Sequence, residues 1–194
     1  MSRIARTIRL APVVVLLLGA ACAHKTQKVT FHDPNMDFGL LRSVAVMPFG
    51  NETADRSAAD RVRDVFMTTL QATGAFYVLP PGEVARGISR VSPEDETAPT
   101  PDNVVALANT LEVDAVITGV VLEYGEVRSG TASANVITVS LRMLEAQSGR
   151  VVWSASTTKG GVSASDRLFG GGGQPMNLVT QRAIDELLDS LFSG

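Results

Sequence analysis

One cysteine, two histidines and one tryptophan serve 194 residues, and each shortage closes off a chemistry. A lone cysteine, Cys22, cannot make an intramolecular disulfide, a CxxC redox pair or a cysteine-rich zinc site. Both histidines, His24 and His32, lie near the N-terminus, so the body of the chain has no base for a Ser-His-Asp constellation. Eight residues apart on a polar arm, they also make a poor metal site. Aromatics are 5% of a chain that is 45% hydrophobic, so the core must be aliphatic and built of small residues. No basic cluster is present. Without residues 1–21, 14 basic residues face 20 acidic ones, and this mildly acidic body argues against nucleic acid as a partner.

What is present begins with a targeting pattern. Residues 1–9 carry Arg3, Arg6 and Arg9 and no acid; Leu10 to Ala20 is apolar; Gly19, Ala20 and Ala21 are small. Basic, apolar and small, in that order, is a secretory signal, here residues 1–21. The apolar run is about half the length a spanning helix needs, which disfavours an uncleaved anchor. Cys22 follows Leu18-Gly19-Ala20-Ala21 and resembles the lipid-modified first residue of a bacterial lipoprotein. The usual pattern has Leu three residues before the cysteine, where this chain has Gly19. Ordinary signal-peptidase cleavage after Ala21 or Ala23 is the alternative. An unpaired thiol in an oxidising compartment favours lipidation. Ala23 replaces the aspartate that marks inner-membrane retention, which implies sorting to the outer membrane. Residues 22–40 then read as a lipidated tether docking loosely on a single domain at 41–194.

Within that domain Val44 to Met47 is a short apolar run suited to a strand covered on both faces. Pro48 lacks a donor and is expected to end the pairing; Phe49 follows, and Gly50 and Asn51 turn the chain. Val62, Val65, Phe66, Thr69 and Leu70 recur at helical spacing, with Asp60, Arg61, Arg63 and Asp64 mostly on the opposite, solvated face. Residues 55–57 offer N-caps for this helix and Gly74 closes it. Residues 76–79 predict a second strand, Glu83 to Ile88 a brief helical turn, and 91–101 a Pro-rich surface loop. Asp102 is expected to cap a helix carrying Val104, Val105, Ala108 and Leu111.

Ala115 to Leu122, containing Gly119, is the most apolar stretch after the signal and predicts a central strand. A polar turn at 125–133 follows. Val139, Leu141 and Met143 then alternate with polar neighbours, and a hairpin turn at 147–150, with Gly149, leads to a return strand at 151–155. Trp153 reads as a core anchor at the sheet edge, with ligand stacking as the alternative. Gly160-Gly161 and Gly170 to Gly173 bracket an expected mobile loop. It holds Leu168-Phe169, a candidate partner contact that orders on binding. The last helix, from about Met176, places Ile184, Leu187, Leu188 and Leu191 on one face. The fold class expected is α/β (α+β): a mixed five-stranded sheet flanked by helices, in the order β-α-β-α-β-β-β-α.

Chemistry is harder to place. Glu112, Asp114, Glu123 and Glu126 offer a carboxylate pair but flank a strand as solvated ends do. The four glycines precede Gln174-Pro175, not the Gly-Lys-Ser/Thr of a phosphate loop, and they follow no strand. No catalytic residue, metal or cofactor is assigned, and the chain reads as a non-enzyme.

Several segments together resemble a known group. Val44-Ala45-Val46-Met47-Pro48-Phe49, with Asn51, is similar to the first strand and turn of the CsgG-like lipoproteins, named for the curli secretion lipoprotein. Gly74 to Pro80, Val113 to Gly119 and Gly149 to Ser154 are similar too, in order and spacing over residues 43–158. The TolB N-terminal domain and LpoB-type lipoproteins share that fold. The resemblance implies a periplasm-facing envelope lipoprotein working through protein contacts; with the outer-membrane sorting read from Ala23, the leading expectation is a non-catalytic accessory or assembly factor anchored to the outer membrane on its periplasmic face, in contact with envelope proteins. It transfers no catalytic residue; Pro48, Phe49, Asn51, Gly119, Gly149 and Trp153 carry structural roles. Dimers or rings are compatible with it. The alternatives are a ring-forming secretion channel of the curli type and a small-ligand or glycan binder with the Gly-rich loop as lid. No remaining connection offers two alternating strands joined by a turn, so the domain is expected to stand on the membrane and not pierce it.

Overall fold

The computed structural model describes residues 29–130, 132–162 and 173–193. The expectations at Cys22, Leu168 and Phe169 lie outside the described residues. Within them the chain runs β1 (Val29–His32), β2 (Ser43–Val46), β3 (Gly50–Asn51), α1 (Ala58–Thr73), β4 (Tyr77–Val78), α2 (Pro81–Val91), α3 (Pro101–Leu111), β5 (Ala115–Ser129), β6 (Ala132–Glu145), β7 (Val151–Gly160) and α4 (Met176–Phe192). A short 3-10 turn, Phe38–Leu40, joins β1 to β2.

The class is the mixed α+β arrangement expected, but the sheet has seven strands and not five. Its order is β1-β7-β6-β5-β2-β4, and β3 pairs with β5. β2 lies parallel to both β4 and β5, while β5, β6, β7 and β1 are mutually antiparallel neighbours. One extra strand is β1, four residues of the segment assigned to a tether, in register from Val29↔Ser156 to His32↔Trp153. The other is β3. Pro48 interrupts the pairing without ending it: Met47 N donates to Ile117 O at 2.9 Å before it, and Glu52 N donates to Val121 O at 2.9 Å beyond it. Asn51 then makes the turn, its side-chain oxygen accepting from Thr53 N at 3.0 Å.

Alternation along the strands sorts residues to two faces. Val44, Val46, Ile117, Leu141, Met143 and Trp153 share a core with Val62, Phe66 and Leu70 of α1 and with Ile184, Leu187 and Leu191 of α4. Ala45, Met47, Val116 and Leu144 point the other way, onto Val84 of α2 and Val104 and Leu107 of α3. Burial at roughly 25 cal/mol per Å² of apolar surface makes both cores the main source of stability.

Helix ends follow local chemistry. Gly74 closes α1 at φ 68°. α2 is an 11-residue helix in place of the brief turn expected, and Thr100, not Asp102, caps α3 by accepting from Asn103 N at 3.3 Å. Pro101 fits the first helical position, where no donor is needed.

The hairpin between β5 and β6 differs most from expectation. Residues 125–133 read as a polar turn, yet the ladder continues from Glu123↔Thr138 to Ser129↔Ala132. Backbone pairing does not depend on side-chain polarity once the register is set by the apolar base of the hairpin. A register shift at Leu122 marks where the arm leaves the core. The ends of the expected mobile loop are held: Gly160 closes β7, and Gly173 N donates to Ser133 O at 3.1 Å.

Candidate functional site

The residues singled out from the sequence take structural places. Phe49 is buried against Phe66, ring centroids 6.0 Å apart. A Cβ on Gly119 would stand 2.6 Å from Leu141 and 2.9 Å from Phe49, so the glycine leaves room for both. Gly149 sits at φ 65°, and a Cβ there would meet the Pro101 carbonyl oxygen at 2.4 Å, so it permits both the turn and the approach of α3. Pro48 is half-buried beside Arg63 and α2. Trp153 is fully buried, and β1 covers the outer side of β7. It is therefore an interior anchor and not an edge one, with no ring face open to a ligand.

The candidate carboxylates do not form a pair. Asp114 accepts from Arg42 N at 2.7 Å, Ser43 N at 2.9 Å and Ser43 Oγ at 3.2 Å, which staples the start of β2 to β5. Those hydrogen bonds, that from Arg42 foremost, hold its pKa below the usual carboxylate value. Glu123 accepts from Thr138 Oγ1 at 2.7 Å, and Glu126 pairs with Arg128 at 3.2 Å. Glu112 ends α3 in the left-handed region at φ 56°. His32 bonds the Leu191 carbonyl at 3.4 Å and meets Phe38 edge-on. Among the described residues no group of three or more His, Cys, Asp and Glu is placed to hold a metal ion.

What the structure does assemble is surface. At the base of the sheet Phe38, Leu41, Phe76, Leu191 and Phe192 line an apolar basin of ≈ 370 Å³, with Arg42 on its wall. Phe76 and Phe192 stack with centroids 6.0 Å apart. Phe192 of this lining is 46% exposed, and Leu40, between the lining residues Gly39 and Leu41, is 70% exposed. An apolar opening with an exposed aromatic at its edge marks a candidate contact surface. Sequence reasoning missed the basin, because its lining comes from the 3-10 turn, the approach to β4 and the end of α4.

A second surface is the face of β5, β6 and β7 that α2 and α3 do not cover. Register sets Thr118, Arg142, Ser154 and Phe31 in one cross-strand row, and Val120, Ser140, Ser156 and Val29 in the next. The 92–100 loop borders it, forming with Thr118, Ser140 and Arg142 a shallow cleft of ≈ 220 Å³.

With that geometry in hand, the fold has counterparts. No family model matches this chain, and no curated protein does. Among solved structures it is similar to the PelC dodecamer from Paraburkholderia phytofirmans, with TM-score 0.58 and 20% identity over 86% of this chain and 96% of that one. It is similar also to lipoprotein GNA1162 from Neisseria meningitidis, with TM-score 0.53 and 18% identity over 76% and 99%. A third is the hypothetical protein CT253 from Chlamydia trachomatis, at 0.52 and 16% over 78% and 95%. Identities this low establish a shared fold. The curli-secretion and TolB names are not among these three.

Proposed function

We propose that this protein is a lipid-anchored envelope lipoprotein on the periplasmic face of the outer membrane, acting without catalysis as an accessory or assembly factor through protein contacts. The apolar basin lined by Phe38, Phe76 and Phe192 carries this reading. Its lining is largely apolar, and the candidate carboxylates Asp114, Glu123 and Glu126 are engaged in structural hydrogen bonds or an ion pair. The basic, apolar and small-residue order of residues 1–21, ending at Cys22, supports the anchor. A fold shared with a protein described as a lipoprotein agrees with it.

Self-assembly belongs to the same proposal, since the fold is shared with a protein described as a dodecamer. A secretion channel is the weaker alternative. The longer β5–β6 arm is the observation in its favour, yet beyond the register shift its paired residues are 123–129. That falls short of the 9–11 residues a spanning strand needs, and Glu123, Glu126 and Arg128 lie within it.

Fractionation tests the anchor. Cys22→Ser should release the protein to the soluble periplasmic fraction and abolish fatty-acid labelling; a wild type that is already soluble and unlabelled refutes it. Light scattering on the purified protein tests the surface. Phe192→Asp should lower the assembly mass or remove a crosslinked envelope partner, and an unchanged crosslinking pattern and mass would refute the basin's role.

A further inference from the structure

Arg63 lies on the polar side of α1 by its spacing, but the fold half-buries it. One Nη donates to the Val46 carbonyl at 2.6 Å, where β2 ends. Its Nε is buried without a partner, and no ion pair among the described residues involves it. Burial lowers its pKa, while the fields of Asp64 and Asp60 offset this in part. A guanidinium taken out of water without a carboxylate is costly. Such a cost is commonly retained where a site needs the charge.

The surroundings are those of a small pocket. Arg63, Pro48, Pro81, Val84, Ile88 and Glu96 line a crevice of ≈ 290 Å³. It opens beyond the carboxyl ends of β2 and β4, the two strands whose following helices pack on opposite faces: α1 on one, α2 on the other. Diverging connections leave a gap there, the usual place for a ligand in sheets with helices on both sides. Pro48, Pro81 and Ile88 give the crevice an apolar side, Ser89 and Glu96 give it a polar one, and Arg63 is the single cation in its lining. A monoanion with an apolar body suits that balance, and a dianion does not.

We propose that this crevice binds a carboxylate through the Arg63 guanidinium, with the apolar body of the ligand against Pro48, Pro81 and Ile88, above the buried Val84. The free Nη of Arg63 is the donor left for it. The carboxylate comes from a small free acid or from the C-terminal end of a peptide, and the test separates the two. The site is independent of the anchor and of the basin.

Methyl-labelled full-length protein in detergent micelles would be titrated with isovalerate, with its neutral amide, with inorganic phosphate, and with a short peptide ending in valine as free acid or as amide. Isovalerate or the free-acid peptide should shift the Val84 and Ile88 methyl resonances, saturating at roughly millimolar concentration. Both neutral amides should be silent. Response to isovalerate alone identifies a small acid, and response to the free-acid peptide identifies a chain end. Arg63→Met should weaken the response by about tenfold or more. Ala85→Phe, an exposed substitution at the pocket wall, should block it with Arg63 intact, which keeps the test open if Arg63→Met does not fold. If Arg63 serves only to hold the Val46 carbonyl, neither carboxylate shifts these methyls. That outcome, or equal binding of phosphate or the amides, or a full response in both variants, overturns the proposal.

Discussion

The two faces of the β5–β6–β7 meander are made from the same strands and differ in almost everything else. Towards α1 and α4 stand Ile117, Leu141, Met143, Trp153 and Ala155, all buried. On the reverse stand Thr118, Ser140, Arg142, Ser154 and Ser156, and α2 and α3 shield only the β2 end of that side. The contrast teaches that the meander is held mainly from one side: on the reverse Thr118 is buried near the cleft, while Ser140, Ser154 and Ser156 are half-buried and Arg142 is exposed.

Substitutions should separate the faces sharply. Trp153→Ala is expected to have the largest effect, about 3–5 kcal/mol of lost stability by urea denaturation. Most of the roughly 5–15 kcal/mol available to a domain is then at risk. An effect under about 1 kcal/mol would mean the α4 face is not the side that holds the meander. Gly119→Val comes next, at about 1–3 kcal/mol, because its side chain must displace Leu141 and Phe49.

Asp114→Ala should cost about 1–2 kcal/mol near neutral pH, reduced from a buried charge-assisted network by partial exposure. Its sign with pH follows from the lowered folded pKa. The stabilisation is full above the unfolded-chain value of about 4 and is lost as pH falls through the lower folded value. Wild type and Asp114→Ala should therefore converge in stability on acidification; curves that stay parallel would remove Asp114 from the account. Ser154→Ala, one residue from Trp153 on the open face, should change stability by less than about 0.5 kcal/mol. A cost comparable to Trp153→Ala would show that the reverse face is also packed, and would break the comparison.

Much of the covered face was legible in the chain. The apolar run at 44–47, the stretch from Ala115 and the alternation through Val139, Leu141 and Met143 announce β2, β5 and β6, and the spacing of Val62, Phe66 and Leu70 announces α1. These signals are local, since a period of two or of 3.6 states which residues share a face. The hairpin turn at Gly149 was legible for the same reason. β1 was not: Val29, Thr30 and Phe31 are exposed, and their strand geometry comes from register with β7, over a hundred residues away. The far half of the β5–β6 arm was hidden likewise, because its polar residues inherit pairing from the apolar base.

The sequence by itself determined most of the elements with a buried stripe and the acidic balance of the body. Only the tertiary structure decided the sheet order, the apolar basin and the setting of Arg63. Each of those joins residues distant in the chain, and local periodicity holds no information about which helix end will meet which strand end. Arg63 shows the limit: its place on the polar face of α1 is a property of the helix alone, and its burial is a property of where β2 stops and α2 begins.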